Sequence, residues 1–263
     1  MKKTCFVSID VEEDFVSDES INRFFGVEKL SSLIPLFKKR NVRATLFCTG
    51  RVLEKYGSVL RQFKQCGHEI ALHGFYDHVN IQNQTQEEKG VNLQKHIRVY
   101  TELFGTPPLG FRAVQNTIDN ASLTVLEQYD IVYDSSVISR YVPFKKYIGY
   151  TGRASRFVYY PNKENFLQAG NRQILEIPLS PPLFGVQLQG KWIKGLRASF
   201  YAFWINLFAP RLLSVSFHSW DLYKGINHDT DETFIHQLDK ILAVLQKKGY
   251  IFSSGKEIYE ANK

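Results

Sequence analysis

A chain of 263 residues that is 44% hydrophobic and 14% aromatic carries enough apolar surface to bury a large core, which excludes a disordered segment. Its net charge of +7 suits an anionic partner such as a nucleotide-sugar or lipid-linked phosphate or an acidic membrane surface. The sequence has no zinc knuckle, RNA-binding signature or clustered basic stripe with interleaved aromatics, so nucleic acid is not expected. Cys5, Cys48 and Cys66 are odd in number, and the first two fall in predicted strands, where a thiol acts as a small hydrophobe. That usage suits a reducing compartment. Met1-Lys2-Lys3 is followed by Asp10, Glu12, Glu13 and Asp14 before any adequate apolar run, so no export is expected and the location is read as cytoplasmic, with membrane association open.

Residues 4–9 form a compact apolar strand that delivers Asp10, Val11 and Glu12 at its C-terminal end. Helical periodicity over 27–39 is followed by a strand at 43–48, a helix at 52–66 and a strand at 69–72 that leads into His73. A long helix over 85–104 precedes a short strand at 110–113, a helix at 120–128 and a strand at 131–134. The alternation breaks over 139–172, a Tyr-, Lys- and Arg-rich stretch read as a surface excursion that shapes a cleft. Residues 174–179 form a strand, 192–208 an aromatic-rich helix, 212–217 a strand ending at His218, 234–247 a helix and 250–253 a last strand. Strands alternating with helices imply a parallel sheet. This many units imply a single α/β domain over 1–263, a distorted (β/α)7–8 barrel with its site at the strand C-termini.

Several strand ends then present chemistry to one face: Asp10 and Glu12, His73 and His78, Arg112, and His218. One carboxylate and two neutral imidazoles suit a divalent ion such as zinc, with positions left for water and substrate. Asp10 and Glu12, two apart on a strand, share a side, which allows Glu12 as ligand and Asp10 as general base, with His218 as general acid to the leaving group. The remaining histidines are read plainly. His68 turns the chain into its strand, His96 and His236 lie on solvent-facing helix faces, and His228 is a loop residue without a role. Trp220 is a core or rim aromatic.

These motifs, in this order, resemble those of the polysaccharide deacetylase family, also called NodB homology or carbohydrate esterase family 4. Ser8-Ile9-Asp10-Val11-Glu12 is similar to the family's Asp-x-acid motif in its Asp-Val-Glu variant, and His73-Gly74-Phe75-Tyr76-Asp77-His78 to its paired-histidine motif. Gly110-Phe111-Arg112-Ala113 resembles the Arg-Ala-Pro motif and Phe217-His218-Ser219-Trp220-Asp221-Leu222 the closing histidine motif; Tyr133-Asp134-Ser135-Ser136 and Leu175-Glu176-Ile177-Pro178 are also similar to family segments. The resemblance implies a NodB-like barrel and hydrolysis of an N-acetyl group on an amino sugar (glycan, lipid-linked or nucleotide-linked) during cell-surface polysaccharide synthesis. It further implies Asp10 as base, Glu12, His73 and His78 as ligands of a divalent metal (Zn2+, with Co2+, Mn2+ or Fe2+ as substitutes), and His218 as acid. Arg112 would hold Asp10 ionised, the backbone N–H just after Arg112 would join the metal in stabilising the oxyanion, and Asp134 would tune His218.

Two departures stand out. The histidines are five apart instead of four, about 140° off a common helical face, so either a loop or π-bulge over 75–77 restores His78 or Asp77 replaces it. Val114 stands where the family has proline, which would loosen the oxyanion loop. The alternatives are a deformylase or other amide hydrolase using the same site, and a metal-free carbohydrate-binding pseudoenzyme. Helix 192–208, interrupted by Lys194 and Arg197 and stopped before Pro210, is too charged to span a membrane. It reads as a half-buried cover or, with Lys191 and Arg211 at its flanks, as a peripheral contact with an anionic membrane surface.

Overall fold

The computed structural model describes residues 3–14, 23–80, 84–142, 150–182, 188–195, 198–208, 210–224 and 229–263. In chain order these form β1 (Lys3–Val11), α1 (Phe25–Glu28), α2 (Leu33–Arg40), β2 (Thr45–Cys48), α3 (Gly50–Gln65) and β3 (Glu69–His73). Then come α4 (Gln86–Phe104), β4 (Gly110–Arg112), α5 (Asn120–Gln128), β5 (Tyr133–Asp134), β6 (Arg140–Val142), β7 (Gly152–Ala154) and β8 (Leu175–Glu176). The chain continues through β9 (Leu188–Gln189), α6 (Gly190–Gly195), α7 (Ala198–Phe208), β10 (Leu212–His218), β11 (Tyr223–Lys224), β12 (Asp229–Thr230), α8 (Glu232–Lys247), β13 (Tyr250–Ser253) and α9 (Gly255–Glu260). Two compact units emerge, one of 1–46, 58–69 and 181–254, the other of 47–57, 70–180 and 255–263.

In the first unit β1 is the central strand, buried from Cys5 to Val11 because it is covered on both faces. It pairs in parallel with β13 on one side and with β10 on the other, and β10 pairs in parallel with β9. Phe6, Ile9, Phe37, Phe63, Phe217 and Phe234 fill the core between these strands and the helices. The register sets Asp10 of β1 opposite His218 of β10, so two residues some two hundred positions apart become neighbours.

The second unit carries β3, β4, β5 and β8 in that order, all parallel, with His73 opposite Arg112 and Asp134 opposite Glu176. Helix α4 starts with a Thr85–Glu88 capping box and stops at Gly105 in the left-handed conformation (φ 71°). Asp119 caps α5 through the Ser122 N–H. The stretch read as a surface excursion holds more order than that: β6 and β7 pair as an antiparallel hairpin, and Tyr150, Ala154, Tyr159 and Leu167 are buried. Aromatic side chains there found apolar cover; residues 143–149 lie outside the described set. Helix 27–39 is also divided, by a 3-10 turn over Leu30–Ser32, and helix 192–208 appears as α6 and α7 with 196–197, including Arg197, outside the described residues.

His68 leads directly into β3 and is also a core residue of the first unit, 6% exposed, its ring set against Phe37 and Phe63 and its Nδ1 accepting the Ala44 N–H at 3.2 Å. Burial, with help from the Arg43 charge, pushes its pKa down from 6.5 to about 4. The unfolded chain therefore binds more protons below the ordinary histidine value, and this part of the stability, complete at neutral pH, is lost as pH falls from 6.5 towards about 4. By denaturant unfolding, the loss of wild-type stability between pH 7 and pH 5 should exceed that of His68→Gln by about 2 kcal/mol. Equal losses would show that His68 titrates normally in the fold.

Candidate active site

In the first unit the parallel pairing of β1 with β10 gathers three titratable groups at the strand C-termini. His218 Nε2 stands 4.0 Å from Asp10 Oδ2 and 3.8 Å from Glu12 Oε1. Glu12 is fixed by its backbone: its N–H donates to Ser219 Oγ at 3.4 Å, and Ser219 Oγ–H donates to its carbonyl at 3.2 Å. The imidazole is oriented from behind. Asp221 accepts the His218 backbone N–H at 2.9 Å, its own N–H reaches the ring, and Trp220 stacks on the ring at 4.2 Å and 8°. Gly190 permits this approach, since a Cβ there would fall 1.8 Å from Asp221 Oδ2. Burial alone would lower the His218 pKa. The hydrogen bond to Asp221 and the charges of Asp10, Glu12 and Asp221 outweigh it, so the pKa is raised.

In the second unit β3 ends at His73, 1% exposed, with Nδ1 at 3.0 Å from the Arg112 carbonyl. That bond fixes the tautomer and leaves Nε2 with a lone pair, the arrangement of a metal-ligating histidine. Arg112 is fully buried. Its guanidinium lies 4.1 Å over the Phe47 ring and donates to Ser135 O and Ser135 Oγ, each at 2.9 Å. After His73 the chain is neither helix nor π-bulge but a bent loop in which Gly74 (φ 65°) and Tyr76 (φ 86°) are left-handed. Non-glycine residues in that region store strain and cluster at functional sites. Gln115 and Asn116 are left-handed too, and Asn80 Nδ2 donates to Gln115 Oε1 at 3.1 Å, tying the two loops together. Asp77 accepts from Arg51 at 2.7 Å in an exposed ion pair, and His78 is exposed.

Two expectations about the oxyanion loop need correction. The N–H just after Arg112, that of Ala113, donates to Ser136 Oγ at 2.8 Å, so it is already spent. Val114 does not loosen the loop, for it is 2% exposed and packs on Gly74, where a Cβ would meet its Cγ2 at 2.7 Å. His96, expected at a solvent face, is wholly buried beneath the loop after His73. Its Nδ1 lies 3.2 Å from the Tyr76 N–H and 3.1 Å from the Gly74 carbonyl, and burial drives its pKa down to about 3. His236 is exposed as expected; His228 lies outside the described residues.

Sequence reasoning passed over a buried carboxyl pair. Asp134 and Glu176, both 0% exposed, face each other across β5 and β8. Asp134 accepts from Ser136 Oγ at 2.7 Å, and Glu176 accepts the Val137 N–H at 3.0 Å. Burial first, then the neighbouring Asp134 charge, pushes the Glu176 pKa well above the ordinary carboxyl range. The described partners of Asp134 are therefore Ser136 and Glu176. Their signal was in the sequence as two strand-end acids, but their pairing depends on register.

Residues 25–133 match the family model described as polysaccharide deacetylase. The chain is 28% identical over 138 residues to a peptidoglycan deacetylase of Helicobacter pylori, covering 52% of this chain and 47% of that protein. Over residues 25–133 the chain is similar to the polysaccharide deacetylase family. It spans less than half the length of the curated relatives it matches. A crystal structure from Mycobacterium smegmatis, assigned to the polysaccharide deacetylases, superposes with a TM-score of 0.71 at 18% identity, covering 99% of this chain and 91% of that one. A family 4 acetyl xylan esterase of Clostridium thermocellum, solved with cobalt, gives 0.57 at 15% identity over 98% and 91%. A family 4 pseudoenzyme of Bacillus anthracis gives 0.60 at 15% over 98% and 66%. These likenesses establish the NodB-type β/α fold class that the strand–helix alternation implies.

Deacetylases of this family are generally metal-dependent. Here the donor chemistry fits at His73, whose ring is held by the Arg112 carbonyl, and at Glu12, whose backbone is held by Ser219. Among the described residues, however, no group of three or more His, Cys, Asp or Glu side chains is gathered to hold an ion.

Two measurements check the site's electrostatics. In metal-free protein, Asp221→Asn should shift the His218 pKa towards the ordinary histidine value in an NMR titration; an unchanged value would remove Asp221 from its role. A raised Glu176 pKa means that the folded state keeps a proton the unfolded chain releases, so stability is lost as pH rises above the ordinary carboxyl range. Glu176→Gln should therefore gain stability relative to wild type between pH 5 and pH 8 in urea unfolding, and a constant difference would mean that Glu176 ionises normally.

Proposed function

We propose that this protein is a metal-dependent deacetylase that hydrolyses the N-acetyl group of an amino sugar in a cell-surface glycan or its lipid-linked precursor. The observation that carries the reading is the arrangement at the end of β1 and β10, where His218 Nε2 faces Asp10 and Glu12 and is steered from behind by Asp221 and Trp220. A pure sugar-binding surface has no need of an imidazole held about 4 Å from two buried carboxylates. In this reading Asp10 takes a proton from the attacking water and His218, whose pKa the charges of Asp10, Glu12 and Asp221 raise, donates one to the departing amine. Glu12, His73 and His78 are assigned as metal ligands, and Arg112 as the group that keeps Asp10 ionised; these roles rest on the order of the family's motifs. A divalent ion, when bound, would acidify a water and polarise the amide carbonyl. The reading extends to a substrate carried at an anionic membrane surface.

One observation favours a second reading. His78 is exposed and the three-donor group is not gathered among the described residues, which suits a pseudoenzyme that binds sugar without metal. Acetate release from N-acetylated amino-sugar oligomers, measured with Zn2+ or Co2+ added, separates the two. Wild type should turn over, Asp10→Asn and His218→Ala should each lose at least about 10²-fold in kcat, and His73→Ala should lose bound metal by elemental analysis. A wild-type protein that binds the oligomers yet takes up no metal and releases no acetate would establish the pseudoenzyme instead.

A further inference from the structure

Helix α7 has two apolar faces, and only one of them is used inside its unit. Ala198, Tyr201 and Ile205 point inward and are at most 5% exposed. On the opposite side Phe200, Phe203, Leu207 and Phe208, spaced as one helical stripe, are 37%, 60%, 60% and 47% exposed. Trp204 binds the stripe together. It stacks on Phe208 at 5.7 Å and meets Phe203 and Phe200 edge-on at 5.1 and 6.2 Å. Trp192 on α6 adds another exposed ring, 44% open. Exposed apolar area this continuous on a soluble surface marks something that covers it.

The charge around the stripe says what that is. Between Ile177 and Trp220 the chain contains Lys191, Lys194, Arg197 and Arg211 and no Asp or Glu. Lys191 and Arg211, at the two ends of the α6–α7 segment, are exposed. Lys240 of α8 is exposed as well, on the rim of a groove of about 590 Å³ whose floor includes Ala198, Ala202, Ala243 and Val244. A second copy of this chain docked through the same face would set these cations against each other. An anionic bilayer would satisfy both features, taking the rings and Leu207 at the boundary between headgroups and acyl chains and the lysines and arginine at the phosphates. No helix among the described residues is long and apolar enough to cross a membrane, so the contact is with its surface.

We propose that the outer face of α7, with Phe203, Leu207 and Phe208 at its centre and Lys191, Arg211 and Lys240 at its edge, is a docking surface for an anionic lipid bilayer. The proposal names the partner surface for the lipid-linked substrate of the preceding reading, but it stands on α7 and can fail alone. The test is sedimentation of the full chain with vesicles of phosphatidylglycerol and phosphatidylcholine, or of phosphatidylcholine alone, at 50 and 500 mM NaCl. Wild type should partition at least about tenfold more strongly to the anionic vesicles at low salt, and weaken at high salt as charges are screened. Phe203→Ser/Leu207→Ser, at two open positions, should cut that partition at least tenfold at unchanged Tm and unchanged acetate release from short soluble oligomers. Failure of wild type to sediment, or equal sedimentation of the variant, overturns the proposal. So does a concentration-dependent dimer in the ultracentrifuge that the double variant abolishes, since the face would then be a contact between copies. Lost vesicle binding with intact deacetylation sinks this inference alone, and intact vesicle binding without deacetylation sinks only the enzymatic reading.

Discussion

The in-register parallel pairing of β1 with β10 is the constraint on which the chemistry of the first unit depends. A parallel ladder carries every residue of one strand alongside a fixed partner, so once Thr4 lies against Leu212 the ladder must end with Asp10 against His218. A slip of one residue would turn the whole strand over and send Asp10 to the other face, and the burial of β1 from Cys5 to Val11 blocks that slip. The core therefore fixes the distance between a carboxylate and an imidazole. Ser219, Trp220 and Asp221, which follow the strand end directly, then orient what the ladder has placed.

The second unit shows the opposite use of burial. Arg112, Asp134 and Glu176 are charged residue types with no exposed surface, and each is held by backbone or hydroxyl partners from neighbouring strand ends. Removing such groups from water is costly, and burial shifts Glu176 towards its neutral form, which limits the cost. The gain is rigidity behind His73 and Arg112. Ser136 sits at the junction, accepting the Ala113 N–H and donating to Asp134, so the loop after Arg112 is anchored to the acid pair.

Aromatic residues divide along the same line. Tyr150 and Tyr159 cover the carboxyl pair and lose their ordinary acidity to burial, whereas the rings of α7 remain at the surface. A long exposed apolar stripe costs solubility and is retained only where a partner offsets that cost. Its setting in an acid-free stretch gives the surface both a hydrophobic and an electrostatic preference.

Local pattern was sufficient for the strands, the helices and the residues at strand C-termini. Short apolar runs closed by Asp10, His73, Arg112 and His218 are visible one segment at a time, and parallel β/α order follows from their alternation. What lies beside what was not visible, because lateral partners are set by register and packing between segments far apart in the chain. Thus the sequence by itself determined the fold class and the candidate acid and base. Only the tertiary structure decided that His68 and His96 are neutral core residues, that Asp134 is matched with Glu176, that the Ala113 N–H is occupied and that Asp77 pairs with Arg51. The aromatic helix makes the same point: its composition suits a core cover and a surface anchor equally well. Only the structure shows that one of its faces is exposed, since periodicity records where apolar residues fall on a helix and not what stands opposite them.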